Sequence, residues 1–238
     1  MKGIKRSPLL QLLRPPNLFT VPGDPLCGAL LASHGAWSWR ILAAIAVSLG
    51  AYCAGLVTND LADFSEDLRD RPSRPLPCGA VPRKVALALA LFFIVIALGS
   101  AVAGGSALVL VTVVLLAVIL SYNLWLKRSA LIGPPAMGLC RGLSVLAGAS
   151  AIAPLRPSPF ILPPFLLISL YIAGVTALAR TETGNPRIPP LIGALIRGLL
   201  ALQAGFCLLA GGSGWIAALL LLALWPLSRL VATNYYAS

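Results

Sequence analysis

Charge is what this chain has least of. Charged residues make up 11% of its 238 residues, against roughly 25% in a soluble domain. A soluble globule of this size needs more polar residues to cover its surface, so that class is excluded. Acids are scarcer still, with seven Asp and Glu against 18 Lys and Arg and a net charge of +11. Aromatics are only 7%, and no basic patch is interleaved with them, so nucleic acid is not a partner. The five cysteines (Cys27, Cys53, Cys78, Cys140, Cys207) show no Cys-x-x-Cys spacing and no histidine partner. Neither a metal site nor a disulfide framework is indicated. No repeat of fixed period is visible. What the chain does have is apolar bulk, 58% hydrophobic residues and a mean hydropathy of +0.91. Such a chain is not disordered; it reads as a polytopic membrane protein.

A spanning helix needs about 20 mostly apolar residues. Eight segments qualify, roughly 17–35, 38–59, 82–101, 105–121, 134–153, 158–180, 189–210 and 214–232, within one domain over 1–238. Alternating them from a cytoplasmic N-terminus puts fourteen cations on the cytoplasmic side and only Arg40 and Arg156 opposite, with Arg141 and Arg197 inside spans. The positive-inside rule then sets both termini in the cytoplasm. The basic start resembles a signal peptide, but without a convincing cleavage site it reads as a retained helix. Pro22-Gly23-Asp24-Pro25, Pro163-Pro164 and Pro226 read as breaks inside spans, tolerable where a bundle satisfies the freed backbone groups.

Five of the seven acids, Asp60, Asp63, Glu66, Asp67 and Asp70, fall within eleven residues at the end of the second span. At about 100° per helical residue, Asp60, Asp63 and Asp67 share one narrow face. Like charges so spaced repel, and a hard divalent cation relieves the repulsion. Mg²⁺ takes oxygen ligands, usually one or two carboxylates together with waters and substrate phosphates. Asn59, Asp60 and Asp63 are expected to serve a first ion, with Asp67 helping through water or a second ion. Arg69, Arg71 and Arg74 follow at once, and arginine suits phosphate oxygens. Carboxylates for Mg²⁺ beside arginines for phosphate make a diphosphate site at the cytoplasmic membrane surface.

The run Asn59-Asp60-x-x-Asp63-x-x-x-Asp67, then Arg71-Pro72-x-Arg74-Pro75-Leu76-Pro77-x-Gly79, resembles the first aspartate-rich motif of the UbiA superfamily of membrane prenyltransferases. Leu13-Arg14-Pro15-x-Asn17 resembles that family's opening, and Tyr122-x-x-x-x-Lys127-Arg128 its Tyr…Lys-Arg segment. Met137-Gly138-Leu139-Cys140-Arg141-Gly142-Leu143 is similar to the UbiA-like EboC branch. The resemblance implies an all-α bundle of about eight, commonly nine, transmembrane helices around a central cavity open toward lipid. It implies Mg²⁺-assisted loss of diphosphate from an isoprenyl diphosphate and transfer of the prenyl group to an acceptor. One departure stands out. Where the superfamily usually carries a second aspartate-rich motif, this chain reads Thr176-Ala177-Leu178-Ala179-Arg180-Thr181-Glu182-Thr183-Gly184-Asn185, with a single carboxylate.

The resulting expectation is a prenyltransferase in which Asp60 and Asp63 hold Mg²⁺, and Arg71, Arg74, Lys127 and Arg141 hold the diphosphate. Arg180 and the intramembrane Arg141 are expected to take over some of a second ion's role. Tyr122 and Tyr52 read as residues flanking the cavity, where a π face suits an allylic cation, or as core packing, the commoner role. Asp24 reads as a cap for the broken first span or an acceptor-site base. Isoprenyl diphosphate, an unidentified acceptor and membrane lipid are the expected partners. Two alternatives stay open: an intramembrane terpene cyclase on the same fold, and a non-catalytic isoprenoid carrier that keeps the first motif for phosphate binding. A CDP-alcohol phosphotransferase lacks support, because its Asp-Gly-x-x-Ala-Arg core is missing.

Overall fold

Long runs of Leu, Ala, Val and Ile with few charges satisfy their backbone groups internally, and helices result. A computed structural model describes residues 7–154, 158–181 and 187–232. Its elements are α1 (Pro8–Leu13), α2 (Pro15–Leu18), α3 (Gly23–Ala32), α4 (Arg40–Ala62), α5 (Phe64–Asp70), α6 (Arg83–Gly104), α7 (Ser106–Leu124), α8 (Gly133–Ile152), α9 (Leu162–Ala179), α10 (Ile188–Leu209) and α11 (Gly214–Ala232). A short 3₁₀ turn at Leu126–Arg128 follows α7. The described residues contain no strand.

Seven helices, α4 and α6 to α11, are long and apolar enough to cross a membrane. The first expected span differs: it is a four-residue α2, a turn, and a ten-residue α3. Pro22 and Pro25 explain this. A helix running on from Leu18 would need their missing N–H groups. It therefore stops, and it restarts at Gly23 with Pro25 in the new first turn. Nine of the ten α3 residues are buried, so the interrupted backbone lies inside protein, where such breaks are tolerated. Pro163-Pro164 is not a break. It occupies the first turn of α9, where a proline costs no hydrogen bond. Pro226 does lie within α11.

Lipid exposure and burial divide the helices. Val95 on α6, Leu170 on α9 and Leu220 on α11 are 67%, 68% and 62% exposed, a pattern suited to hydrocarbon rather than water. The chain is a multi-pass integral membrane protein. Helix α8, rich in Gly, Ala and Ser, is the most enclosed of the seven. Small residues let backbones approach closely in membrane bundles, and α3 and α8 show it. A Cβ on Gly148 would sit 1.9 Å from the Pro25 carbonyl oxygen, and one on Gly28 would sit 2.0 Å from the Val145 oxygen. Backbone cannot yield as a side-chain tip can. Gly148→Ala is therefore expected to cost about 1–3 kcal/mol, read as a lower unfolding midpoint in detergent. Gly99→Ala, which meets nothing within 4 Å, should leave the midpoint unchanged or slightly raised.

Candidate active site

Helix α4 ends at Ala62, and Asp63 (φ −87°, ψ 1°) breaks the path before α5 begins. Asp60, Asp63 and Asp67 thus do not continue along one helical face as their spacing suggests. The interruption separates like charges, and each carboxylate finds a cation. Arg14 Nη2 lies 3.2 Å from Asp60 Oδ1. Arg74 Nη1 lies 2.8 Å from Asp67 Oδ2 and 3.9 Å from Asp60 Oδ1, so its guanidinium stands between the two carboxylates. On the other side, Lys127 Nζ lies 2.5 Å from Asp63 Oδ1 and donates to Asn59 Oδ1 at 3.1 Å. Asn59 Nδ2 in turn donates to Asp63 Oδ2 at 3.2 Å. The motif folds into two linked pairs, Asp60 with Asp67 and Asn59 with Asp63, each bridged by a cation.

Burial corrects a simple picture of surface acids. Asp60 and Asp67 are only 7% and 4% exposed, whereas Glu66, Arg69 and Asp70 are exposed. Arg71 is also exposed and pairs with no acid among the described residues. Arg180 does not reach the carboxylates. It donates to the carbonyl oxygens of Lys127 and Arg128 at 2.8 and 3.4 Å, and so fastens the turn that presents Lys127. Glu182 lies outside the described residues.

Arg14 was legible only within a family opening, yet it is central here. It joins α1 to α2 at φ 44°, a left-handed conformation that costs a non-glycine residue roughly 1–2 kcal/mol. Such strain persists where surroundings enforce it, often at working sites. Its side chain reaches both Asp60 and the cavity below.

That cavity, about 260 Å³, lies between α4, α7 and α8 and extends to the charged end. Asn59, Arg14 and Tyr122 stand on its wall, with Tyr52, Leu56 and Arg141 also lining it. Tyr52 and Tyr122 line it, where core packing is the commoner expectation for both. Asn123, which drew no notice in the sequence, ties α7 to α4 by donating to the Gly55 carbonyl and to Thr58 Oγ1 at 2.9 and 2.7 Å.

Arg141 sits in the cavity wall but is committed elsewhere. Its Nε is 2.8 Å from Asp24 Oδ2, although the N–H is not aimed along that line. Its Nη2 donates to the Thr20 carbonyl at 2.9 Å. Gln203 Nε2, from α10, donates to Asp24 Oδ1 at 2.6 Å and to the same Thr20 carbonyl at 2.9 Å. Asp24 is thus not a cap for the broken span; its side chain answers a buried charge from another helix. Arg197, by contrast, is half-buried on α10 and lies back against Gly193, one turn toward the charged end, as a snorkelling arginine does.

The donor set suits Mg²⁺. Among the described residues no three His, Cys, Asp or Glu side chains gather on one point. Mg²⁺ does not require three, since it binds through one or two carboxylates with waters and phosphate oxygens. Asp60 and Asp67 supply two hard oxygen ligands around a position where a guanidinium already stands.

Comparison with known proteins agrees with this architecture. The profile of the UbiA prenyltransferase family matches residues 25–236. A digeranylgeranylglyceryl phosphate synthase from Methanothermobacter thermautotrophicus is 30% identical over 211 residues, covering 86% of this chain and 73% of that protein. The bacteriochlorophyll synthase 33 kDa chain from Cereibacter sphaeroides is 28% identical over 209 residues, covering 81% and 68%. Among solved structures, a UbiA homolog from Archaeoglobus fulgidus bound to GPP and Mg²⁺ has a TM-score of 0.62 at 16% identity, covering 96% of this chain and 88% of that one. An apo UbiA homolog from Aeropyrum pernix has a TM-score of 0.58 at 21% identity, covering 90% and 89%. Those two likenesses speak to the fold, and the profile match over nearly the whole chain speaks to descent: the protein belongs to the UbiA prenyltransferase family.

Proposed function

We propose that this prenyltransferase moves an isoprenyl group from an isoprenyl diphosphate to an acceptor at the cytoplasmic face of the membrane, with Mg²⁺. One observation carries the reading. Four oxygen-bearing side chains (Asn59, Asp60, Asp63, Asp67) and three cations (Arg14, Arg74, Lys127) gather at one end of a largely apolar cavity, whose wall Arg14 and Asn59 join. A diphosphate needs the first set, through a metal, and the second set directly. An isoprenoid tail needs the cavity.

Asp60 and Asp67 hold Mg²⁺ in this reading, with Asn59 and Asp63 completing or replacing ligands at the second pair. The ion supplies Lewis-acid withdrawal of charge from the diphosphate. Arg14, Arg74 and Lys127 shift contacts from carboxylate to phosphate oxygens, and the exposed Arg71 adds a further cation. Arg180 holds the Lys127 turn in place. Tyr122 and Tyr52 offer ring faces to the developing allylic cation, a favourable electrostatic contact. Arg141 contributes positive potential to the wall, tempered by Asp24. The apolar wall excludes water, so the acceptor rather than solvent attacks the carbon.

The test is incubation of purified protein with radiolabelled isoprenyl diphosphates and a cell lipid extract. Mg²⁺-dependent diphosphate release with a prenylated lipid product is the expected result. A cyclised hydrocarbon without acceptor would mark a cyclase, and binding without turnover a carrier.

Orientation has its own check, because Cys78 is the one exposed cysteine among the described residues. It lies in the loop between α5 and α6, beside Arg74. A membrane-impermeant maleimide should leave it unlabelled in intact cells and label it rapidly in inside-out vesicles. Ready labelling from outside would reverse the topology and move the site to the other face.

A further inference from the structure

We infer that Gln203 is a positioning residue for the transfer reaction: its amide keeps the guanidinium of Arg141 in the cavity wall without touching the cavity itself. The inference rests on the functional reading above and adds to it the group that fixes one of its charges.

Polar side chains inside a membrane-spanning helix are costly and mark working parts by default. Gln203 is the one amide in α10, and it is 0% exposed. Arg141 lines the cavity and Gln203 does not. The two meet behind the wall, on the break between α2 and α3. There the Thr20 carbonyl accepts from Arg141 Nη2 of α8 and from Gln203 Nε2 of α10, each at 2.9 Å. The Asp24 carboxylate is shared in the same way. Gln203 Nε2 lies 2.6 Å from its Oδ1, and Arg141 Nε lies 2.8 Å from its Oδ2. The Arg141 Nε–H is not aimed at that oxygen, so the bond to Thr20 sets the direction of the guanidinium.

An arginine side chain has several rotatable bonds, and its charge serves a transition state only where it is held in place. Gln203 holds it by occupying the competing acceptors. A carbonyl has two lone pairs, and buried acceptors left without a donor are costly. With the amide present, Thr20 and Asp24 are partly satisfied, and Arg141 stays where it reaches the cavity. With the amide gone, the vacated oxygens draw the guanidinium back onto themselves and off the wall. A displacement of about 1 Å is enough to cost on the order of a hundredfold in rate.

Gly23 makes room for this arrangement. A Cβ there would collide with Gln203 Oε1 and Cδ. Those atoms are the tip of a side chain rather than backbone, and Gly23 has no positive φ. Gly23→Ala therefore suits the helix and displaces the amide, while every charge stays.

The experiment measures diphosphate release from geranyl diphosphate by the purified full-length protein in detergent, with Mg²⁺ and a cell lipid extract, beside the unfolding midpoint. Gln203→Met keeps most of the length and removes both donors. It should lower kcat by about tenfold to a hundredfold and leave KM for geranyl diphosphate within about twofold of the parent. Gly23→Ala should do the same with Gln203 unchanged. Leu199→Ala, one turn earlier on α10 and equally buried, is the packing control. It should lower the midpoint and keep kcat within about twofold of the parent. In an Arg141→Met background, Gln203→Met should change kcat by less than about twofold, because residues acting as a unit are not additive. If that background does not fold, Gly23→Ala set against Leu199→Ala decides the matter. A parent-like kcat for Gln203→Met would overturn the positioning role, and so would an equal loss with and without Arg141. A kcat that merely follows the midpoint through all variants, Leu199→Ala included, would reduce Gln203 to packing. No turnover by the parent would instead overturn the functional reading, and this inference with it.

Discussion

Asp60→Asn is expected to lower turnover by roughly two to three powers of ten, the scale on which a preorganised charge contact in a transition state is lost. Asparagine keeps the size and one acceptor oxygen but removes the charge. It therefore leaves the Arg14 contact a partner while weakening the hold on Mg²⁺ and the relay through Arg74 to Asp67. The bundle should still assemble, because the Asp60 charge ties only the short α1–α2 joint to α4, while the spanning helices pack through apolar clusters. Stability will not be wholly unmoved, since Asp60 is buried and ion-paired rather than a free surface acid. Diphosphate release at limiting and saturating Mg²⁺, beside the unfolding midpoint, checks both halves. A near-parent rate at limiting Mg²⁺ would remove Asp60 from the metal site.

Arg141→Ala is expected to have two effects with separate causes. Removing the guanidinium strands the Asp24 carboxylate, which is 0% exposed, with only Gln203 for company. Breaking a buried pair in this way costs about 3–5 kcal/mol. Replacing both partners by apolar residues of similar size is often close to neutral, so Asp24→Leu with Arg141→Met should recover most of the unfolding midpoint. Turnover should behave differently. The single variant is expected to lose two or more powers of ten, and the double variant should not regain them, because the positive potential at the cavity wall is still gone. If stability losses of the two single variants simply add in the double, the pair is not an energetic unit. If turnover returns with stability, Arg141 acts through folding alone.

The distribution of what was legible follows from interaction range. The helical, membrane-spanning character needed only composition and run length. Lipid requires each spanning segment to satisfy its own backbone, so the information is local. The acidic motif was equally visible, because its residues are neighbours in sequence and rare elsewhere in the chain. Its internal geometry was not. A constant 100° step assumes one unbroken helix, whereas the helix breaks at Asp63 and Arg14, Arg74 and Lys127 each meet a carboxylate there. Two of those cations, Arg14 and Lys127, come from segments 46 and 64 residues away. The Pro163-Pro164 reading failed for a related reason. Whether a proline pair breaks a helix or begins one depends on where the helix starts, which here is Leu162.

The spanning segments, the metal chemistry their acids suit and the gathering of cations at alternate loops were therefore properties of the chain as written, since they depend on residue type and local order. Which carboxylate meets which cation, and why Asp24 and Gln203 matter to Arg141, depended on the bundle. So did the hydrogen bond between Ser48 and Ser144, across a separation of 96 residues. Contacts of that kind are decided by helix packing, and packing is decided by close approaches such as Gly148 on Pro25. A glycine in a sequence does not announce which backbone it will touch.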